Sequence, residues 1–325
     1  MWARLLAAAA LLLLVTVPDA RTKRSKRAKR HSSGGDDGDD GSGYDASDCN
    51  GPWDTSSAED EALLGLTDNR CDFEEVSAAD FSPSTFAEWF ALRRPLIVRN
   101  SSANERAREF LSQRCDVLRK YGSVPVDLGD PFSLAKHGRP SRRMSLGDYL
   151  DTPFEADAPL YFFDRDGRWS ESMGEFRELL SPPSSASVSL SPPPEPGEPE
   201  RPIIFAIGKT GSGIGLHQHQ DAWNQLLLGC KRWTVYPGDP GGVPPAASYN
   251  PSRPHLRWLR DVYPSLPADA RPLECVQRPG DVVYVPSGWY HATVNIGDTA
   301  VRCIDCHYHY HHHHHHHHYH HYHHY

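Results

Sequence analysis

The sequence predicts a mainly β fold, a jelly-roll sandwich preceded by helices, and three observations carry that expectation. From residue 203 onward the chain is a succession of short apolar or β-branched runs, at 203–207, 223–228, 232–236, 273–277, 282–285 and 292–295. Gly229-Cys230-Lys231 and Pro279-Gly280-Asp281 punctuate those runs with tight-turn chemistry. Apolar residues at the helical spacing of three and four fall earlier, before residue 122. Many short strands joined by turns are the pattern of a jelly roll.

Taken in order, residues 84–92 set Phe86, Trp89 and Phe90 on one helical face, with Ser82 or Ser84 as the cap. Pro95-Leu96-Ile97-Val98 reads as a short buried strand. A second amphipathic helix is expected over 105–121, with Phe110, Leu111, Val117 and Leu118 facing inward. Residues 160–163, just after Pro159, form another strand, and the Pro- and Ser-dense stretch 181–202 is a surface loop.

The chain has 325 residues and a formal net charge of −8, without the basic excess of a nucleic-acid binder. Arg4 precedes an apolar run over 5–17, broken only by Thr16 and followed by Pro18-Asp19-Ala20. That length suits a signal peptide over residues 1–20 and is short for a membrane span. Residues 21–69, first basic and then rich in Gly, Asp and Ser, read as a linker. Arg24-Ser25-Lys26-Arg27 and Arg27-Ala28-Lys29-Arg30 fit dibasic processing or a solvated basic patch. Residues 303–325 form a His/Tyr tail, which leaves 70–302 as the globular unit. The expectation is entry into the endoplasmic reticulum lumen, with no membrane span. The sequon Asn100-Ser101-Ser102 accords with it. Seven cysteines permit disulfides there, but an odd number fixes no pairing.

Only six of the 20 histidines lie outside the tail. Three of them stand where pattern alone would look for a site. His217-Gln218-His219 follows the turn Gly211-Ser212-Gly213, and His291 follows Pro286-Ser287-Gly288, 74 positions on (291 − 217). Alternate residues of a strand share a face, so His217 and His219 are expected to point together, with His291 reaching them from a neighbouring strand.

These residues, with Trp223-Asn224, Gly229-Cys230-Lys231-Arg232-Trp233, Tyr161-Phe162-Phe163-Asp164 and the stretch from Pro279-Gly280-Asp281 to Trp289-Tyr290-His291, resemble the JmjC oxygenases. Arg94-Pro95-Leu96-Ile97, Leu259-Arg260-Asp261-Val262-Tyr263-Pro264 and Arg271-Pro272-Leu273-Glu274-Cys275 extend the resemblance toward small JmjC-only members of the reticulum lumen. It covers most of residues 70–302. It implies a double-stranded β-helix of cupin type, with Fe(II) held by an H-x-D/E…H triad and open positions for 2-oxoglutarate and oxygen. On that resemblance His217, His219 and His291 match the metal ligands, and Tyr161, Asn224 and Lys231 match the co-substrate residues. Lys231 would pair with the distal carboxylate of 2-oxoglutarate. The departure is His219, where most relatives supply a carboxylate. His219-Gln220-Asp221 offers H-x-D in a second register, so Asp221 stays open as a substitute.

Two readings of function follow. In one the chain is a luminal regulatory module, non-catalytic or weakly catalytic, acting through protein partners. In the other it is an Fe(II)/2-oxoglutarate-dependent hydroxylase of a luminal protein. A nuclear histone demethylase, resting on the basic run alone, has no reader domain or zinc-finger cysteine cluster behind it.

Overall fold

The computed structural model describes residues 45, 49, 52–54, 70–129, 142–153, 159–164, 174–180, 203–238 and 240–304. All belong to one compact unit, Gly43–Tyr325. The expected signal peptide and residues 305–325 of the expected tail lie outside the described residues, whereas Cys303 and Ile304, expected in the tail, continue the last strand.

Strand β1 (Glu74–Ser77) leads to helix α1 (Pro83–Trp89). The helix starts there because Ser82 Oγ accepts the Thr85 N–H at 3.1 Å, and Pro83 occupies a first-turn position with no helical partner to lose. After β2 (Leu96–Arg99), the helix expected over 105–121 is two helices, α2 (Glu105–Ser112) and α3 (Arg114–Tyr121). Gln113 leaves helical backbone between them, at φ −93° and ψ 76°. Then come β3 (Pro125–Leu128), β4 (Arg142–Ser145), α4 (Leu146–Leu150), β5 (Tyr161–Asp164), α5 (Gly174–Leu180), β6 (Ile203–Gly208) and β7 (Ala222–Tyr236). The chain continues through α6 (His255–Asp261), β8 (Leu273–Gln277), β9 (Val282–Val285) and β10 (Tyr290–Ile304). Among the described residues, no helix is long and apolar enough to cross a membrane.

The described strands join in one ten-stranded sheet, ordered β1-β2-β9-β7-β10-β6-β5-β3-β4 with β8 on β7. What folds it over is the pair β7 and β10, 15 residues each, which stay paired while their register slips between Ile296 and Ala300. At the slip Gly229 (φ 77°) and Gly297 (φ 74°) take left-handed backbone, and a Cβ on Gly229 would sit 2.2 Å from the Asp298 carbonyl oxygen. Such an irregularity bends the pair through a corner. Residues 222–228 of β7 and 300–304 of β10 lie in one layer with β9, β2, β6 and β5. Residues 231–235 of β7 and 290–295 of β10 lie in a second layer with β8 and the segment 211–217. The tight turn expected at Gly229-Cys230-Lys231 is therefore corrected. The glycine makes a corner inside one strand, and Cys230 and Lys231 stay in the ladder opposite Ile296 and Asn295.

Between the layers Ala222, Trp233, Val235, Cys275 and Val283 pack at one end, and Tyr161, Ile204, Ala206, Leu226, Val301 and Cys303 at the other. The outer faces are covered by helices. Helices α2 to α5 cover Phe205, Ile207 and Leu227, α1 covers Trp223, Val282 and Tyr284, and α6 covers Tyr236, Val294 and Ile296. Two disulfides, Cys49–Cys115 and Cys71–Cys275, tie the first described residues to the domain. Inside the stretch expected as linker, Trp53 is also anchored: it is buried and donates Nε1–H to the Leu111 carbonyl at 2.6 Å.

Candidate metal and co-substrate site

The second layer delivers three histidines to one place. His217 and His291 form an isolated antiparallel bridge, exchanging backbone hydrogen bonds of 3.1 and 2.8 Å. His219 follows in a loop, where its carbonyl accepts the Gly288 N–H at 2.8 Å. A bridge and a loop, rather than the expected alternation along a strand, bring His217 and His219 together. The ring centroids stand 4.2, 4.7 and 5.1 Å apart, and ligand atoms of all three lie within 4.8 Å of one another.

Each imidazole is oriented through its Nδ1. His217 Nδ1 bonds the Gly215 carbonyl at 2.8 Å, His219 Nδ1 the Gln220 carbonyl at 2.6 Å, and His291 Nδ1 the Trp289 carbonyl at 3.0 Å. A carbonyl oxygen brings no proton, so each Nδ1 is the donor, and in the neutral ring Nε2 carries the lone pair. Nε2 of His219 and Nε2 of His291 lie 3.2 Å apart. Two facing lone pairs repel unless a proton or a cation stands between them. Outer carbonyls that fix the tautomer and aim Nε2 inward are how metal-binding imidazoles are held. The three residues fit a divalent transition metal, one of the ions imidazole suits.

Deeper between the layers, the co-substrate candidates also assemble. Lys231 is fully buried, donates from Nζ to Asn295 Oδ1 at 2.6 Å, and lies 5.5 Å over the Tyr161 ring. Burial pushes its pKa down to about 8, opposed by the thiol of Cys303. Among the described residues no carboxylate forms an ion pair with it. Asn224 is buried, donates Nδ2–H to Cys303 Sγ at 2.9 Å, and its Oδ1 has no partner among the described residues. A buried ammonium facing a neutral amide fits an incoming carboxylate ligand rather than a finished core, and the unsatisfied Asn224 oxygen calls for a hydrogen-bond donor.

Asp221 is the site residue that the structure does not bring in. It lies outside the histidine group, and its Oδ1 accepts the Ser287 N–H at 2.8 Å. As a substitute metal carboxylate it stands apart from the three histidines, engaged by the turn that precedes His291. Asn295 and Cys303 were missed by reading the sequence. The signal for Asn295 was present, because His291, Thr293 and Asn295 alternate along one strand and so share a face.

Known proteins resemble this chain in sequence. The family described as "JmjC domain, hydroxylase" matches residues 217–304. The chain is 32% identical over 241 residues to JmjC domain-containing protein 8 of Homo sapiens, covering 72% of this chain and 83% of that one. It is 32% identical over 177 residues to the bifunctional arginine demethylase and lysyl-hydroxylase psr-1 of Caenorhabditis briggsae, covering 50% of this chain and 44% of that one. Among solved structures, YcfD, a ribosomal oxygenase from Escherichia coli, is similar over 69% of this chain and 50% of that one, at 16% identity and a TM-score of 0.34. The extent of the match to the human protein, together with the histidine-bearing segment that fits the family, makes this chain a member of the JmjC-domain family.

Proposed function

We propose that this protein is an Fe(II)- and 2-oxoglutarate-dependent hydroxylase of a polypeptide in the lumen of the endoplasmic reticulum. One observation carries the reading: three imidazoles, each donating Nδ1–H to a backbone carbonyl, hold ligand atoms within 4.8 Å of one another. An abandoned metal site has no reason to keep three tautomers fixed. Bound iron would supply oxygen activation, with 2-oxoglutarate as the reductant. The chain's own part is to orient the imidazoles, to hold the distal carboxylate of the co-substrate with Lys231, and to exclude water with Tyr161 and the apolar residues between the layers.

The luminal location is supported by two disulfides, by the apolar run over residues 5–17, and by exposure of Asn100 in its sequon. A tagged chain should carry an endoglycosidase-sensitive glycan at Asn100. A glycan-free cytosolic product would reject the location.

A second reading, a module acting through protein partners, is favoured by one residue. His219 brings no negative charge where a ligand carboxylate would offset part of the metal's charge. Succinate formation from 2-oxoglutarate, measured with and without oxygen, separates the two. Oxygen-dependent succinate marks the hydroxylase, and binding of iron and 2-oxoglutarate without turnover marks the module.

A further inference from the structure

We infer that Asp221 is the positioning residue of the metal centre, a carboxylate that fastens the segment bearing His219 to the turn bearing His291. The inference rests on the metal-binding reading above.

The ladder between β7 and β9 ends at Ala222 opposite Val285. Beyond it the two segments must diverge, one toward His219 and the other toward His291, yet hold their ligands within 4.8 Å. Pro286 has no N–H to continue the ladder. The next two donors are taken up instead: Ser287 N–H goes to Asp221 Oδ1 at 2.8 Å, and Gly288 N–H goes to the His219 carbonyl at 2.8 Å. The Tyr284 hydroxyl lies beside this fastening. It accepts the Leu92 N–H at 2.9 Å, and the nearby Asp221 carboxylate helps keep its proton on. One side chain thus joins the His219 loop to the His291 turn, with the Tyr284 hydroxyl of β9 beside it. The carboxylate that the triad lacks as a ligand is present two residues away as a brace.

The test uses the full chain with its disulfides formed and Co(II) as the probe, read by visible absorption. Because the histidine-rich tail also takes up Co(II), each titration is referred to an H217A/H219A/H291A variant that keeps the tail. Asp221→Ala should weaken binding at the triad by about 10- to 100-fold and shift the absorption bands, as loss of an outer-sphere partner does. Asp221→Asn retains an oxygen that can accept the Ser287 N–H, and should recover most of the affinity. Tyr284→Phe keeps the ring against Phe86 and Trp223. It should give a smaller loss that adds nothing to Asp221→Ala, and it tests the brace even where Asp221→Ala folds poorly. Unchanged affinity and bands in Asp221→Ala would overturn the inference alone. Asp221→Asn as weak as Asp221→Ala would overturn it too, by marking the carboxylate as a ligand. A native chain that binds no more Co(II) than the triple variant overturns the metal reading, and the inference with it.

Discussion

Lys231 and Arg232 are neighbours in β7, equally buried, and the fold treats them in opposite ways. Arg232 points to the outer face, where its Nε donates to Glu274 Oε1 at 3.0 Å. The Tyr263 hydroxyl also bonds Glu274, and the Tyr263 ring lies 4.7 Å under the guanidinium. Lys231 points between the layers and meets the neutral amide of Asn295. A cation that serves only the fold needs its counter-charge built in, because an unpaired buried charge is costly. On the proposed function Lys231 serves a ligand and is left without a counter-charge, so that the ligand brings it. The depressed pKa of Lys231 and the ion pair of Arg232 with Glu274 are two outcomes of that difference, one residue apart.

Several substitutions would break or sharpen this contrast. The largest effect is expected from Glu274→Gln, which strands Arg232 and should lower the unfolding free energy by about 3–5 kcal/mol in a denaturant melt. Replacing Arg232 and Glu274 together by Met and Leu should restore most of it. Lys231→Met should leave the melting temperature unchanged or raised, and yet weaken 2-oxoglutarate binding by about 10- to 150-fold, equivalent to 1.5–3 kcal/mol, by calorimetry. A loss of stability in Lys231→Met as large as that in Glu274→Gln would erase the distinction.

Titration sharpens it further. The folded pKa of Lys231, about 8, lies below the ordinary 10.5. Between those values the unfolded chain binds the extra proton, so the Lys231 contribution to stability rises with pH across that window. Co-substrate affinity should run the other way, falling above pH 8 as the ammonium loses its charge. Both trends should vanish in Lys231→Met. The smallest effect is expected from His219→Asp, which restores a ligand charge and should tighten metal binding on the order of tenfold, about 1.4 kcal/mol, in the Co(II) titration.

Most of this architecture is legible in the sequence, and the exceptions have physical reasons. Strand positions follow from short apolar runs, and Tyr161, Asn224, Lys231 and His291 all lie between the layers. Gly229 misled because left-handed backbone serves a hairpin and a strand corner equally well; only the partner strand, with Gly297 at the same corner, tells them apart. The break at Gln113 leaves no trace because Leu111, Val117 and Leu118 are buried whether the helix is one or two. Asp221 stayed open as a substitute ligand because its place in H-x-D says nothing about the Ser287 N–H that claims it. Cys49 and Trp53 escaped because two anchoring residues cannot be seen in a stretch whose composition is that of a linker.

The disulfides give this protein a clock. Cys49 and Cys115 are 66 residues apart, whereas Cys71 waits 204 residues for Cys275. At about 5–20 residues per second of synthesis, the second interval lasts roughly 10–40 seconds. Cys71 enters the growing chain between Cys49 and Cys115 and ahead of its own partner. In an oxidising compartment it would meet three wrong partners, Cys49, Cys115 and Cys230, before the right one exists. Strand β8, which carries Cys275 against Trp233, can be locked in place only after most of the domain has been made. Maturation must then run from the helical N-terminal side to the histidine-bearing layer, with the three histidines brought together near the end.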